Sequence, residues 1–184
     1  MAKVQLYRPD LQDAPLPAAV IAPRLVPPDG FRITLINNGK PRTLQLLTYL
    51  AEAFGRQQAV RTVEVHSKPS AGPPIDEATA NTIAARSDLV ITGLGDCGAC
   101  SSCSLVDALY MEKLGVPAAV VITDPFTDVC ERVSRRMGFS GYPPIVVPHP
   151  AASRSDDWLR RRADECADRL AVLVMPDTAD GTIT

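Results

Sequence analysis

The sequence predicts a single α/β domain, a three-layer sandwich built on a mainly parallel five-stranded sheet, and three observations carry that expectation. Five short apolar, β-branched segments recur along the chain. Each is separated from the next by a stretch of helical periodicity, the crossover that parallel strands need because it buries its apolar stripe against the sheet. The chain has 184 residues, 46% of them hydrophobic, which suits one compact domain with a real core.

Residues 1–30 hold Pro9, Pro15, Pro17, Pro23, Pro27 and Pro28 without a sustained period, and read as an extended arm around the domain or a partner subunit. The domain proper spans 31–184. Phe31–Ile36 reads as a strand ending in the turn-like Asn37-Asn38-Gly39-Lys40-Pro41, and Thr43–Gly55 has helical spacing through Leu44, Leu47, Leu50 and Phe54. Val60–His66 is a second strand, Ile75–Ala85 a helix, and Asp88–Thr92 a short buried strand ahead of a cysteine loop. A helix from Ala99 to Leu114 stops at Gly115, and the strand Ala118–Thr123 follows. A helix over Thr127–Met137, a strand over Pro144–Val147 and a helix from an N-cap at Ser155 to Val174 complete the chain. A flavodoxin-like sandwich is the architecture that this order suggests.

Composition narrows the function classes. A formal net charge of −2 and a pI near 5.7 give no basic footprint, so nucleic acid is not expected as a partner. Arg160-Arg161-Arg162 is interleaved with Asp156, Asp157, Asp164 and Glu165 and reads as a solvated helix face. No basic-then-apolar leader and no apolar run near the ~20 residues of a membrane helix is visible, so a cytoplasmic protein without membrane contact is expected. In that reducing compartment the five cysteines are read as metal-binding, redox or nucleophilic groups. The apolar arm from Leu16 to Val26 suggests a homodimer.

Open parallel sheets bind ligands beyond the carboxyl ends of their strands. The loops there carry Asn37, Asn38 and Lys40; His66 and Lys68; Asp96 and the cysteines; Thr123 and Asp124; and His149. Gly93-Leu94-Gly95-Asp96-Cys97 joins a strand to a helix whose first amides lack intrahelical partners, so a thiolate at Cys97 would be stabilised there. Cys100 stands at the spacing of Cys-x-x-Cys redox pairs, which makes Cys97 the attacking thiol and Cys100 the resolving one. Cys103, Ser104 and Asp107 continue the same side of the helix. Cys103 is open to three readings: second resolver, ligand or packed residue. Cys130 and Cys166, in predicted helix interiors, read as core, and His66 as structural.

His149, flanked by Pro148 and Pro150 at the end of the last strand, is the candidate general acid or base, with Asp96 beside the turn. Asn37, Asn38, Lys40, Lys68, Cys103, Ser104, Asp107 and Thr123 are the candidate substrate-binding residues, with Lys40 and Lys68 holding an anionic group. The expected activity is attack by Cys97 on a small molecule or disulfide, recycled by a thiol reductant, with no cofactor. Two alternatives stay open. One is a zinc or iron–sulfur module on Cys97, Cys100 and Cys103 completed by Cys130, His149 or a second subunit. The other is a non-redox lyase or hydrolase that uses Cys97 as nucleophile alone.

Asn38-Gly39-Lys40-Pro41, Lys68-Pro69-Ser70, the run from Gly93 to Ser104, Asp107-Ala108 and His149-Pro150 together resemble the UGSC family, in which the first cysteine of the loop is selenocysteine in some members. The likeness runs from Ile21 to the last helix and extends distantly to the selenoprotein B subunits of glycine and proline reductases. It implies a compact α/β domain with a reactive chalcogen at Cys97 and Cys100 as its companion. Ala99 stands where the family name has Ser, Val106 precedes Asp107 where a polar residue is expected, and Arg42 replaces the Asn that commonly follows Lys-Pro.

Overall fold

The computed structural model describes residues 17–176. β1 (Phe31–Asn37), α1 (Thr43–Gly55), β2 (Val60–Ser67), α2 (Glu77–Ala84), β3 (Leu89–Gly95), α3 (Gly98–Lys113), β4 (Ala118–Thr123), α4 (Thr127–Arg136), β5 (Ile145–Val147) and α5 (Asp156–Val174) follow one another, with a single 3-10 turn at Asp124–Phe126. Every strand pair is parallel, in the order β2-β1-β3-β4-β5, which is the flavodoxin-like arrangement. Successive strand side chains point to opposite faces, so each face gathers its own core. Ile33, Leu35, Leu89, Ile91 and Val121 pack with Leu47, Leu50 and Phe54 of α1 and Leu159 and Leu170 of α5. On the other face Ile36, Val90, Val120 and Ile122 meet Ile83 of α2, Leu105 and Leu109 of α3, and Cys130 of α4.

Several boundaries differ from expectation, each for a local reason. β3 runs through to Gly95 instead of stopping at Thr92, because the glycines continue the strand through a register shift against β4. α2 begins at Glu77 rather than Ile75: Asp76 caps it by accepting from the Thr79 amide, and the Ile75 amide is drawn to Asp107. α3 begins one residue early at Gly98, since Cys97 is itself the cap. β5 shrinks to three residues between Pro144 and Pro148.

Of the proline-rich arm, residues 1–16 lie outside the described residues. From Pro17 to Gly30 the chain has neither helix nor strand and is tied to the amino edge of the sheet. The tie is Glu112, whose fully buried carboxylate accepts from the Ala22 amide (2.8 Å), both Arg24 terminal nitrogens (2.7 and 2.9 Å), the Ala118 amide (3.0 Å) and Tyr142 (3.4 Å). Burial and this carboxylate push the Tyr142 phenol well above its ordinary range. Removing one member of a buried charge pair strands the other, so Glu112→Ala should cost about 3 kcal/mol, read as an earlier midpoint in chemical denaturation. No helix among the described residues is long and apolar enough to cross a membrane.

Candidate active site at the start of α3

β1 and β3 are neighbours whose crossovers leave in opposite directions, so the crevice at this switch point lies between the loops that follow them. The β3 loop is shaped by Gly95. A Cβ there would lie 2.6 Å from Ser101 Oγ and 2.7 Å from Ile122 Cγ2, so only glycine lets the first turn of α3 settle on the strand. Cys97 then caps α3 with extended backbone, its Sγ accepting from the Cys100 amide at 3.3 Å. Ser101 Oγ donates back to the Cys97 carbonyl at 2.7 Å and fixes the turn.

Cys97 and Cys100 are joined by a disulfide across a Cα separation of 5.4 Å, within the ordinary span for such a bond. Cys97 is partly exposed and Cys100 is buried, so the sulfur reachable from solvent is the one at the helix start. Cys103 remains a thiol. Burial raises its pKa, with the Lys68 ammonium opposing and the Asp107 carboxylate reinforcing that rise. Burial alone pushes the Cys130 thiol up to about 11, and Cys166 packs against the core.

Asp96 and His149, far apart in the chain, meet here. His149 Nδ1 lies 3.0 Å from Asp96 Oδ1 and 3.1 Å from Thr123 Oγ1, and Thr123 in turn donates to the Gly95 carbonyl at 3.2 Å. With the Thr123 hydrogen so committed, Nδ1 is the donor to both oxygens, and the neutral ring carries its lone pair on Nε2. The Asp96 carboxylate is held by the Ala151 and Ala152 amides at 3.2 and 3.1 Å, and Asp124 Oδ1 accepts the His149 amide at 3.0 Å. Phe126 sets its ring edge-on to the imidazole, 5.8 Å between centroids. The parts that sequence reasoning missed are these supports, Phe126, Ser101 and the Ala151 and Ala152 amides. Backbone amides and a lone aromatic leave no motif to read.

The remaining candidates divide. Asn37 and Lys40 sit on the open side of the β1 loop, where Asn37 accepts from the Gly39 amide and donates to Ser67. Asn38 is buried and uses its full hydrogen-bonding capacity internally. It donates to the Leu94 carbonyl (3.0 Å) and Ser104 Oγ (3.2 Å), and accepts from the Lys40 amide and the Thr43 hydroxyl. It therefore welds the β1 loop to β3 and α3. Lys68 is likewise turned inward, 2.6 Å from the fully buried carboxylate of Asp107, which also accepts the Ile75 amide at 2.8 Å. Desolvation raises the Asp107 pKa, against the pull of Lys68. His66, half-buried at the end of β2, lies at the margin of this pair. Among the described residues no group of three or more His, Cys, Asp or Glu side chains is arranged to hold a metal ion.

The fold and this edge define a flavodoxin-like α/β protein with a cysteine pair, able to form a disulfide, at a helix start. The UGSC family model matches residues 5–175, and the chain belongs to the UGSC family. A comparison with curated proteins found no match. Among solved structures the chain is similar to the flavodoxin-like domain of a Synechococcus sp. protein, at 12% identity over 77% of this chain and 90% of that one, with a TM-score of 0.43. It is also similar to diflavin flavoprotein A3 from Nostoc sp., at 15% identity over 78% and 94% of the two chains, with a TM-score of 0.44. The glycosyltransferase SnogD from Streptomyces nogalater is similar at 16% identity over 89% of this chain and 45% of that one, with a TM-score of 0.35.

Proposed function

We propose that the chain is a thiol-dependent enzyme of a reducing cytoplasm, in which Cys97 attacks a disulfide or another small electrophile and Cys100 resolves the adduct. One observation carries the reading. Cys97 Sγ accepts an amide hydrogen at the start of a 16-residue helix and is already within bonding reach of Cys100. An anion at that position is favoured by the unpaired amides and by the helix dipole.

With a disulfide substrate the Cys97 thiolate displaces one substrate thiolate and forms a mixed disulfide. Cys100 then attacks Cys97 Sγ, releases the second substrate thiolate and closes the Cys97–Cys100 bond. The substrate gains two electrons, and an external dithiol returns the pair to its reduced state. His149, held by Asp96 through Nδ1, presents Nε2 to take up or deliver the protons of the thiols. Lys40 and Asn37 contact the substrate from the β1 loop, while Asn38, Ser104, Lys68, Asp107 and Thr123 act as positioning residues behind it. The other partner proposed is a second copy of the chain.

The test is alkylation of the reduced protein over a range of pH, followed by intact mass. Cys97 should be modified well below the free-thiol value of about 8.5, ahead of the other four cysteines. Labelling that begins only near that value would remove the activated nucleophile and the reading with it.

A further inference from the structure

Phe126 is an aromatic side chain that packs in neither of the two apolar clusters on the faces of the sheet. It closes the 3-10 turn that follows β4, and its ring is only partly buried. Single apolar side chains on a solvated surface are ordinary. This one stands at the carboxyl end of the sheet, with its ring 5.8 Å from the imidazole of His149 between centroids. In the strand order the loop that bears Cys97 has the β1 loop on one side and this turn on the other. The two walls differ in chemistry: the β1 loop presents Asn37 and Lys40, and the β4 turn presents a benzene ring. Adjacent strands are about 4.8 Å apart, so the walls stand on the order of 10 Å from one another with Cys97 between them.

We propose that Phe126 is the specificity-determining residue of this site, and that the substrate is a small aromatic disulfide carrying an acidic group. The substrate ring packs against Phe126, the acidic group turns toward Lys40, and Cys97 attacks the sulfur between them. The proposal rests on the reading of Cys97 as the attacking thiol. The Cys97–substrate sulfur bond forms as the substrate disulfide breaks, and the departing thiolate leaves with the electron pair. Cys100 then releases the second thiolate, so the substrate is reduced to two thiols and the cysteine pair is oxidised. A ring beside the scissile bond gains from Phe126 through apolar burial and offset or edge-on ring contact, which an aliphatic chain obtains only in part.

The test uses the full chain, reduced and then freed of reductant. It is mixed with the disulfide of para-carboxybenzyl thiol or with dithiodibutyrate, two acidic disulfides of which only the first has rings. Loss of the Cys97 thiol is followed by intact mass over a range of disulfide concentration and pH. Half-saturation should come at a concentration at least about tenfold lower for the aromatic disulfide. Phe126→Ala should abolish that preference while the limiting rate and its pH dependence stay as in the wild type. Phe126→Leu, which keeps an apolar side chain in place, should lose most of it. Lys40→Met should raise half-saturation about threefold for both disulfides alike. Equal half-saturation in the wild type, a preference that survives both Phe126 variants, or indifference to Lys40→Met would overturn the assignment. So would a lower limiting rate with a displaced pH profile for both disulfides, which would make Phe126 a support for His149 alone. Failure of Cys97 to react with either disulfide is a separate result, and it would remove the attacking-thiol reading and the proposal with it.

Discussion

On the proposed scheme Cys100→Ser should act as a trap: incubated with a disulfide substrate, the variant should accumulate a mixed disulfide on Cys97 and stall after one event. The first exchange needs only the capped thiolate, and the second needs the sulfur of Cys100, which the Cα separation of 5.4 Å already brings within reach. Serine keeps the size and polarity of the site and removes the second exchange. Intact mass should show a brief adduct on the wild type giving way to the Cys97–Cys100 disulfide form, and a stable adduct on the variant. Cys97→Ser should show no adduct and lose activity by on the order of 10⁴-fold or more, the scale on which loss of an activated nucleophile acts. If Cys100→Ser turns over like the wild type, the redox half of the scheme falls and simple nucleophilic catalysis by Cys97 takes its place.

The second large effect is on stability. Lys68→Met should lower it by about 3–5 kcal/mol, because it leaves the buried Asp107 carboxylate without its cation. Methionine fills the space of the lysine stem, so the loss isolates the charge. The pH dependence gives the signature. Desolvation holds the Asp107 pKa above its unfolded value, and in the variant nothing from Lys68 opposes the rise. The folded state then binds the proton more tightly than the unfolded one, so stability increases as pH falls. The deficit of Lys68→Met should therefore be greatest at neutral pH and shrink on acidification toward the ordinary carboxylate range. Adding Asp107→Asn, which keeps an acceptor for the Ile75 amide, should recover most of the loss at neutral pH. Denaturant melts of the wild type, the two single variants and the double variant, at neutral and mildly acid pH, decide it. Equal losses at both values would assign the defect to packing.

The fold was legible because its signals are local and repeated: β-branched runs, helical periodicity, and glycine or proline at the joints. The cysteine cap was legible for the same reason, since the glycines, the thiol and the helix start are adjacent in the chain. What spacing could not show was the direction in which polar side chains face. Lys68 and Asn38 stand at strand ends, where substrate-contacting groups are sought, yet both turn inward, one to Asp107 and the other to Leu94 and Ser104. The meeting of Asp96 and His149 depends on β5 being laid beside β4, and no local pattern encodes it.

The Asp96 carboxylate bridges two loops, taking the His149 ring on one side and the amides 55 and 56 residues further along the chain on the other. A nascent polypeptide that has emerged only through α3 carries its thiols without the imidazole that Asp96 holds. On the proposed scheme the proton-handling half of the centre arrives with the last strand, so competence and completed folding would coincide. An incompletely folded molecule would be a slow, poorly directed reagent toward the thiols and disulfides around it.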